Sequence, residues 1–324
     1  MRPTEIISAW GKVLGGKTPL LSIEITRECP LNCPGCYAYG DEHLGGLVNL
    51  SELSDLRDDS LVDGVLKLVD LHDPIQVTLV GGEPLMRARE LNKLLPILSA
   101  RGVFSLVVSS GVIPIPKEWT ALPRVTVAIS VDGLPEHHDV RRKPATYDRI
   151  LRNIARRRVY IHWTVVRSHL EDPDYFDRYL SFWSARPEVH RIWMSVYTPQ
   201  KGEQSPEMLT PADRTRLTEA IPALAREYPK FLTTAGIATA LLHPPESPAE
   251  CAFARVSANY TADLRTRVRP CVFGGNPDCS QCGCAASSAL HWITNQTLGP
   301  IPARHLFNGS LGIGSAVNWL RRAS

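Results

Sequence analysis

The sequence predicts an α/β protein: a partial (β/α)6, TIM-like barrel followed by a small cysteine-rich β-hairpin module. Three observations predict it. Six apolar, β-branched runs alternate with stretches able to form helices, Gly-, Pro- and Cys-rich loops follow the early runs, and the pattern changes after about residue 203. Continuous apolar runs suit parallel strands covered on both faces, and loops at strand C-termini are where such barrels build their sites.

In order, an N-terminal segment (1–19) precedes strands expected at 20–25, 75–80, 103–108, 125–131, 159–166 and 189–196, which together form a barrel core over 20–200. Between them, 51–71, 87–100, 147–158 and 172–183 carry apolar residues at helical spacing. A linker region (201–248) holds a Pro-rich stretch at 204–211, a helix at 212–227 and another Pro-rich stretch at 243–248. The remainder (249–324) is a cysteine module and a tail. Within it, 256–260 and 264–268 alternate in period two about Ala262-Asp263, the pattern of a β-hairpin.

Composition excludes several function classes. At 324 residues, 44% apolar and 21% charged, the chain is an ordinary folded one. A net charge of +3 is too small and dispersed for a nucleic-acid partner, and the basic run Arg156-Arg157-Arg158 reads as a solvated helix end. No signal-peptide core and no run of about 18 apolar residues is present, so the expected address is the cytoplasm, with no membrane span. The barrel starts within about twenty residues of the first, so a separate domain fused at the front is not expected.

The eight cysteines fall into two groups, Cys29, Cys33 and Cys36 at the front and Cys251, Cys271, Cys279, Cys282 and Cys284 at the back. Clustered cysteines in such a chain ligate metal or react more often than they form disulfides. The front group is a C-x3-C-x2-C run after the first strand, curled by Pro30, Pro34 and Gly35 so that three thiolates can aim at one point. A four-iron cube takes four thiolates, so three leave one iron open to another molecule. On spacing alone the alternatives are a zinc site completed by His43 or a remote ligand, a redox pair, or three buried cysteines with no shared role. The acidic glycine loop Gly81-Gly82-Glu83-Pro84 after the second strand favours the cluster, because it suits an amino-acid moiety bound beside it.

These motifs, with Tyr37 directly after the last cysteine and Val127-Ala-Ile-Ser-Val-Asp-Gly133 followed by His138-Asp139 and Arg142, resemble the radical S-adenosylmethionine (SAM) superfamily. The likeness covers about 20–196 and extends to the branch with peptide-modifying and sulfatase-maturing members. It implies that Cys29, Cys33 and Cys36 hold a [4Fe–4S] cluster whose open iron SAM chelates. It implies too that Gly81, Gly82 and Glu83 receive the SAM amino group, and that Tyr37, Ser109, Ser130 and Arg142 stand where relatives meet the rest of SAM. Reductive cleavage to a 5′-deoxyadenosyl radical would follow, with flavodoxin or ferredoxin as electron donor.

The back group resembles the auxiliary-cluster extensions of that superfamily, Twitch and its larger relative SPASM, with too few cysteines for two further clusters. One auxiliary [4Fe–4S] cluster is expected on Cys251, Cys271 and Cys279 with Cys282 or Cys284, against a tetrathiolate zinc. The segment after Cys284, including His291-Trp292 and the Gly-rich 308–314, is assigned to packing. The resemblance implies hydrogen abstraction from a peptide; a small metabolite, or a non-catalytic metal sensor that binds a partner, are the competing readings.

Overall fold

The computed structural model describes residues 3–36, 38, 40–44, 53–144 and 146–323. Seven parallel strands form one sheet in the order β6-β5-β4-β3-β2-β1-β7. They are β1 (Leu20–Thr26), β2 (Gln76–Gly81), β3 (Phe104–Ser109), β4 (Val125–Ser130), β5 (Val159–Val165), β6 (Val189–Val196) and β7 (Ser257–Tyr260). The first six follow chain order, as right-handed βα crossovers dictate. The crossover helices are α2 (Asp58–His72), α3 (Ala88–Ala100), α5 (Tyr147–Ile154) and α6 (Tyr175–Ser184), with the short α4 (Pro135–Arg141) after β4.

The strands sort their side chains by face. On β5, Val159, Ile161, Trp163 and Val165 are fully buried, and Trp163 stacks on Tyr179 of α6 with ring centroids 4.0 Å apart. Tyr160, His162 and Thr164 point the other way, half-buried, into the barrel. Strands apolar on both faces were expected; this strand alternates because an open barrel lines its interior with polar groups where a closed one packs aliphatic layers.

The hairpin expectation holds at its turn and is corrected in its first arm. Val256 ends a helix, α9 (Ala252–Val256), and 257–260 form the seventh strand, paired in parallel with β1 from Leu20↔Ser257 to Ile23↔Tyr260. The return arm keeps only an antiparallel bridge, Tyr260↔Arg267, about a turn in which Asp263 accepts from Thr261 Oγ1 and the Arg265 and Thr266 amides. Tyr260 thus pairs on both sides, with Ile23 of β1 and with Arg267; an isolated two-stranded ribbon is marginal in water, and the pairing with β1 anchors this one to an existing apolar sheet.

Beyond β6, Thr210 and Asp213 make reciprocal capping bonds that start α7 (Pro211–Glu227), with Pro211 in its first turn. The segment 230–232 then runs along the outer edge of β6 through Ile192. Helices α8 (Ala235–Leu242) and α10 (Ala285–Thr294) pack together, with Trp292 lying against Gly236. The Gly-rich 308–314 lies inside α11 (Ala303–Ala323), which packs on α1 (Pro3–Leu14), and Asn318 donates to the Gly16 carbonyl at 2.6 Å. Among the described residues no helix is long and apolar enough to cross a membrane.

Candidate active site

The loop carrying Cys29, Cys33 and Cys36 leaves the C-terminal end of β1 beside the glycine loop that leaves β2. Gly82 N donates to Thr26 O and Glu83 N to Glu28 O, both at 2.8 Å, so the two loops run together as far as the first cysteine. Gly81 makes this possible. It has φ +118°, and a Cβ there would stand 2.4 Å from the Thr26 carbonyl oxygen.

Glu83 is completely buried. Its Oε1 accepts from Leu85 N (3.0 Å) and Ser109 Oγ (2.8 Å), and its Oε2 from Ser110 N (2.8 Å) and the Ser110 hydroxyl. One carboxylate thereby ties the loop after β2 to the loop after β3. Ser109 serves Glu83 directly and also accepts from Gly111 N at 2.9 Å.

The three front thiols share one electrostatic environment. Burial pushes the Cys29 thiol up, and Glu83, Cys33 and Cys36 raise it further. From the far side of the loop Asn32 N donates to Lys143 O at 2.8 Å, which brings the residues after α4 to the cysteines. Arg142 belongs to that segment. Its Nε donates to Asp132 Oδ2 at 2.8 Å, and its guanidinium lies near Cys33 and Cys36. Adjacent Arg141 turns away and pairs with Glu207 as well as with Asp132. Ser130, at the end of β4, is buried and stands opposite His162 in the ladder. Tyr37 lies outside the described residues.

Several site residues were not singled out from sequence. Asp132 is buried; burial opposes its ionisation, but Arg142 and Arg141 outweigh it and hold its carboxyl far below the usual range. His138 accepts from Asp132 N at 3.1 Å and donates through Nε2 to Thr146 Oγ1 at 2.8 Å, and burial lowers its pKa to about 4. Both stood in the motif that carried the resemblance, so proximity to Arg142 was the available signal. Behind the cysteines, buried Arg87 bridges Glu28 (3.0 Å) and Asp55 (3.2 Å), and Asp55 accepts from Thr26 Oγ1 and Arg27 N. No sequence pattern marks that network.

His43 is not a partner of the cysteines. Its Nε2 meets Glu24 at 2.5 Å and its Nδ1 meets the Phe273 carbonyl at 3.1 Å. Burial would lower its pKa, but Glu24 raises it more, and both ring nitrogens face oxygen acceptors. This removes the zinc alternative that used His43, and it links the front loop to the rear module.

All five rear cysteines line one cavity, together with Thr198, Phe253, Phe273 and Ser287. Cys251 caps α9 and meets Ser287 Oγ at 3.2 Å, and Cys284 stands directly before the first residue of α10 without a side-chain capping bond. The cavity lies across the open seam of the barrel. On one side β7 and Phe273 attach to β1 and His43; on the other, Val196 N donates to Gly283 O and Gly283 N to Thr198 Oγ1, each at 2.9 Å. Glycine is required at 283, where a Cβ would fall 2.1 Å from the Val196 oxygen. Inside the barrel, Ser195 Oγ takes the Ala285 amide (3.3 Å) and contacts His162 Nε2 (2.9 Å).

A parallel barrel with thiols gathered at its C-terminal mouth defines a class of metallocofactor-dependent proteins. Within that class, residues 23–167 match the family model described as the Radical SAM superfamily, and this stretch is a radical SAM domain. The fold agrees. SuiB of Streptococcus suis bound to the precursor peptide SuiA superposes with a TM-score of 0.57 at 14% identity, over 80% of this chain and 61% of that one. SuiB bound to S-adenosylmethionine gives 0.53 at 13% identity, over 80% and 60%. The anSMEcpe protein with bound AdoMet and the Cp18Cys peptide gives 0.50 at 16% identity, over 64% and 60%. The chain therefore spans about three fifths of the length of these structures. No curated protein matches it in sequence.

A radical SAM domain takes a [4Fe–4S] cluster and SAM, and the residues present fit that pair. The front thiols share one mouth with a cation, Arg142, at their side and a buried acid, Glu83, at their back. The rear thiols also fit a thiolate-binding group. Burial and the neighbouring thiols push Cys271 up to about 12 and Cys279 to about 11, and Cys284 higher, so ionisation of these thiols is opposed in a space that a cationic metal core would let them fill as thiolates. Among the described residues no three Cys, His, Asp or Glu side chains already stand in ligating array, so the groups are gathered but not closed.

Proposed function

We propose that this chain is a radical SAM enzyme that removes a hydrogen atom from a C–H bond of a peptide, with an auxiliary [4Fe–4S] cluster in its C-terminal module. The observation that carries the reading is the convergence of Cys29, Cys33 and Cys36 with Glu83 and Arg142 at the mouth of the barrel. Cluster and SAM together supply reductive cleavage of the sulfonium to a 5′-deoxyadenosyl radical.

The chain's own residues bind, orient and exclude water. Gly81 to Glu83 would receive the SAM amino group on a backbone fixed by Thr26 and Glu28, while Glu83, locked by four donors, keeps the loops after β2 and β3 in register. Arg142, oriented by Asp132, would face the SAM carboxylate, and Ser130 and Ser109 the ribose side. The module over the seam closes the side of the barrel, which protects a radical from solvent. A peptide substrate is supported by the likeness to SuiB and anSMEcpe, whose structures hold peptides.

The test is anaerobic reconstitution with iron and sulfide, then chromatography for 5′-deoxyadenosine after SAM and dithionite, beside a Cys29/Cys33/Cys36→Ala variant. Product from the native chain alone is expected. No product from a fully loaded native chain would sink the reading in favour of a metal sensor.

A further inference from the structure

Arg214 on α7 is 8% exposed, and no carboxylate lies within ion-pairing distance of it among the described residues. Its guanidinium donates instead to three backbone carbonyls, Leu241 O at 3.0 Å, Cys282 O at 3.4 Å and Gln281 O; its Nε is buried without a partner. Asp213 beside it faces Arg216 and Thr210, and Asp278, the nearest acid in the cysteine loop, serves Ser280 and Gln281.

A buried cation with only carbonyl dipoles around it is costly unless an anion lies close by. The groups that favour its charge are the Cys282 sulfur and Asp278, and both belong to the loop that lines the five-cysteine cavity. A cube ligated by four thiolates is a net anion whose potential follows nearby charge and hydrogen bonds.

We infer that Arg214 is the counter-charge of the auxiliary cluster, a positioning residue that holds the 281–283 loop and raises the cluster's reduction potential. This rests on the proposed auxiliary cluster. Reduction adds one electron to an already anionic group, so a cation fixed near it favours the reduced form. That would suit an acceptor of the electron left when a substrate radical is oxidised.

The experiment uses the full chain with Cys29, Cys33 and Cys36 changed to Ala, so that the rear cluster is the only iron centre, and titrates it by EPR. Arg214→Gln is expected to lower the reduced-to-oxidised ratio at fixed poise on the order of tenfold, about 59 mV for one electron, and Arg214→Lys to restore most of it. An unchanged potential in Arg214→Gln would overturn the inference and leave the auxiliary cluster standing. Loss of the cluster from both variants would also overturn it, since the residue would then only prop the loop. Absence of iron from the Arg214-containing protein would overturn the auxiliary cluster itself and the inference with it.

Discussion

At the scale of single residues, the site depends on two buried carboxylates. Glu83→Gln replaces an acceptor of four donors with a group that must donate as well, so about 1–3 kcal/mol of stability is expected to be lost. The accompanying prediction is at least tenfold weaker SAM binding in the cluster-loaded protein, read by calorimetry; unchanged affinity would separate Glu83 from SAM recognition. Asp132→Asn leaves Arg141 and Arg142 short of their common partner, with an expected cost of about 3–5 kcal/mol in denaturant unfolding. Two buried histidines contribute to the pH dependence. Burial lowers His138 to about 4 and His169 to about 3, from an ordinary value near 6.5. The unfolded chain thus binds more protons than the folded one in this window. Their contribution is complete above about pH 6.5 and lost as pH falls through 4 toward 3. Each adds a slope of about 1.4 kcal/mol per pH unit inside that window. Denaturant midpoints at pH 7.5 and 5 should therefore differ, and His138→Gln should narrow the difference.

At the scale of elements, the six barrel strands were legible because each is a β-branched run bounded by Gly, Pro or charge, and β6 begins and ends at the predicted residues. The cysteine and glycine loops were legible for a related reason: unusual residues at fixed spacing have few uses. Residues 256–260 were legible as a strand with a turn after it, but not in their main pairing. Alternation marks a half-buried strand but does not say which neighbour it pairs with, and the partner, β1, lies more than 200 positions earlier. Arg214, His43 and the Arg87 network were illegible for the same reason, since each is defined by partners from distant segments. In the module, Gly283 packs close against Val196. Gly283→Ala should force the rear loop off β6, with roughly 1–3 kcal/mol of overpacking cost and preferential loss of the rear iron, so that bound iron falls from about eight to about four per chain.

At the scale of the whole molecule, the rear module is fastened to both edges of the sheet, through β7 to β1 and through 196–201 to 276–283. Barrel and module should therefore unfold in one transition, with tryptophan fluorescence and far-UV circular dichroism coinciding; two resolved steps would show the module to be independent. The double fastening also sets a dimension. An open sheet can splay, but here a strap of chain of fixed length joins its two ends, so the bore of the barrel mouth is gauged by the rungs Lys201 to Asn276 and Asp278 to Pro199. Residues that touch neither thiols nor SAM thereby decide how wide a guest the barrel admits, and inserting or deleting one of them would resize the opening while leaving every ligand in place.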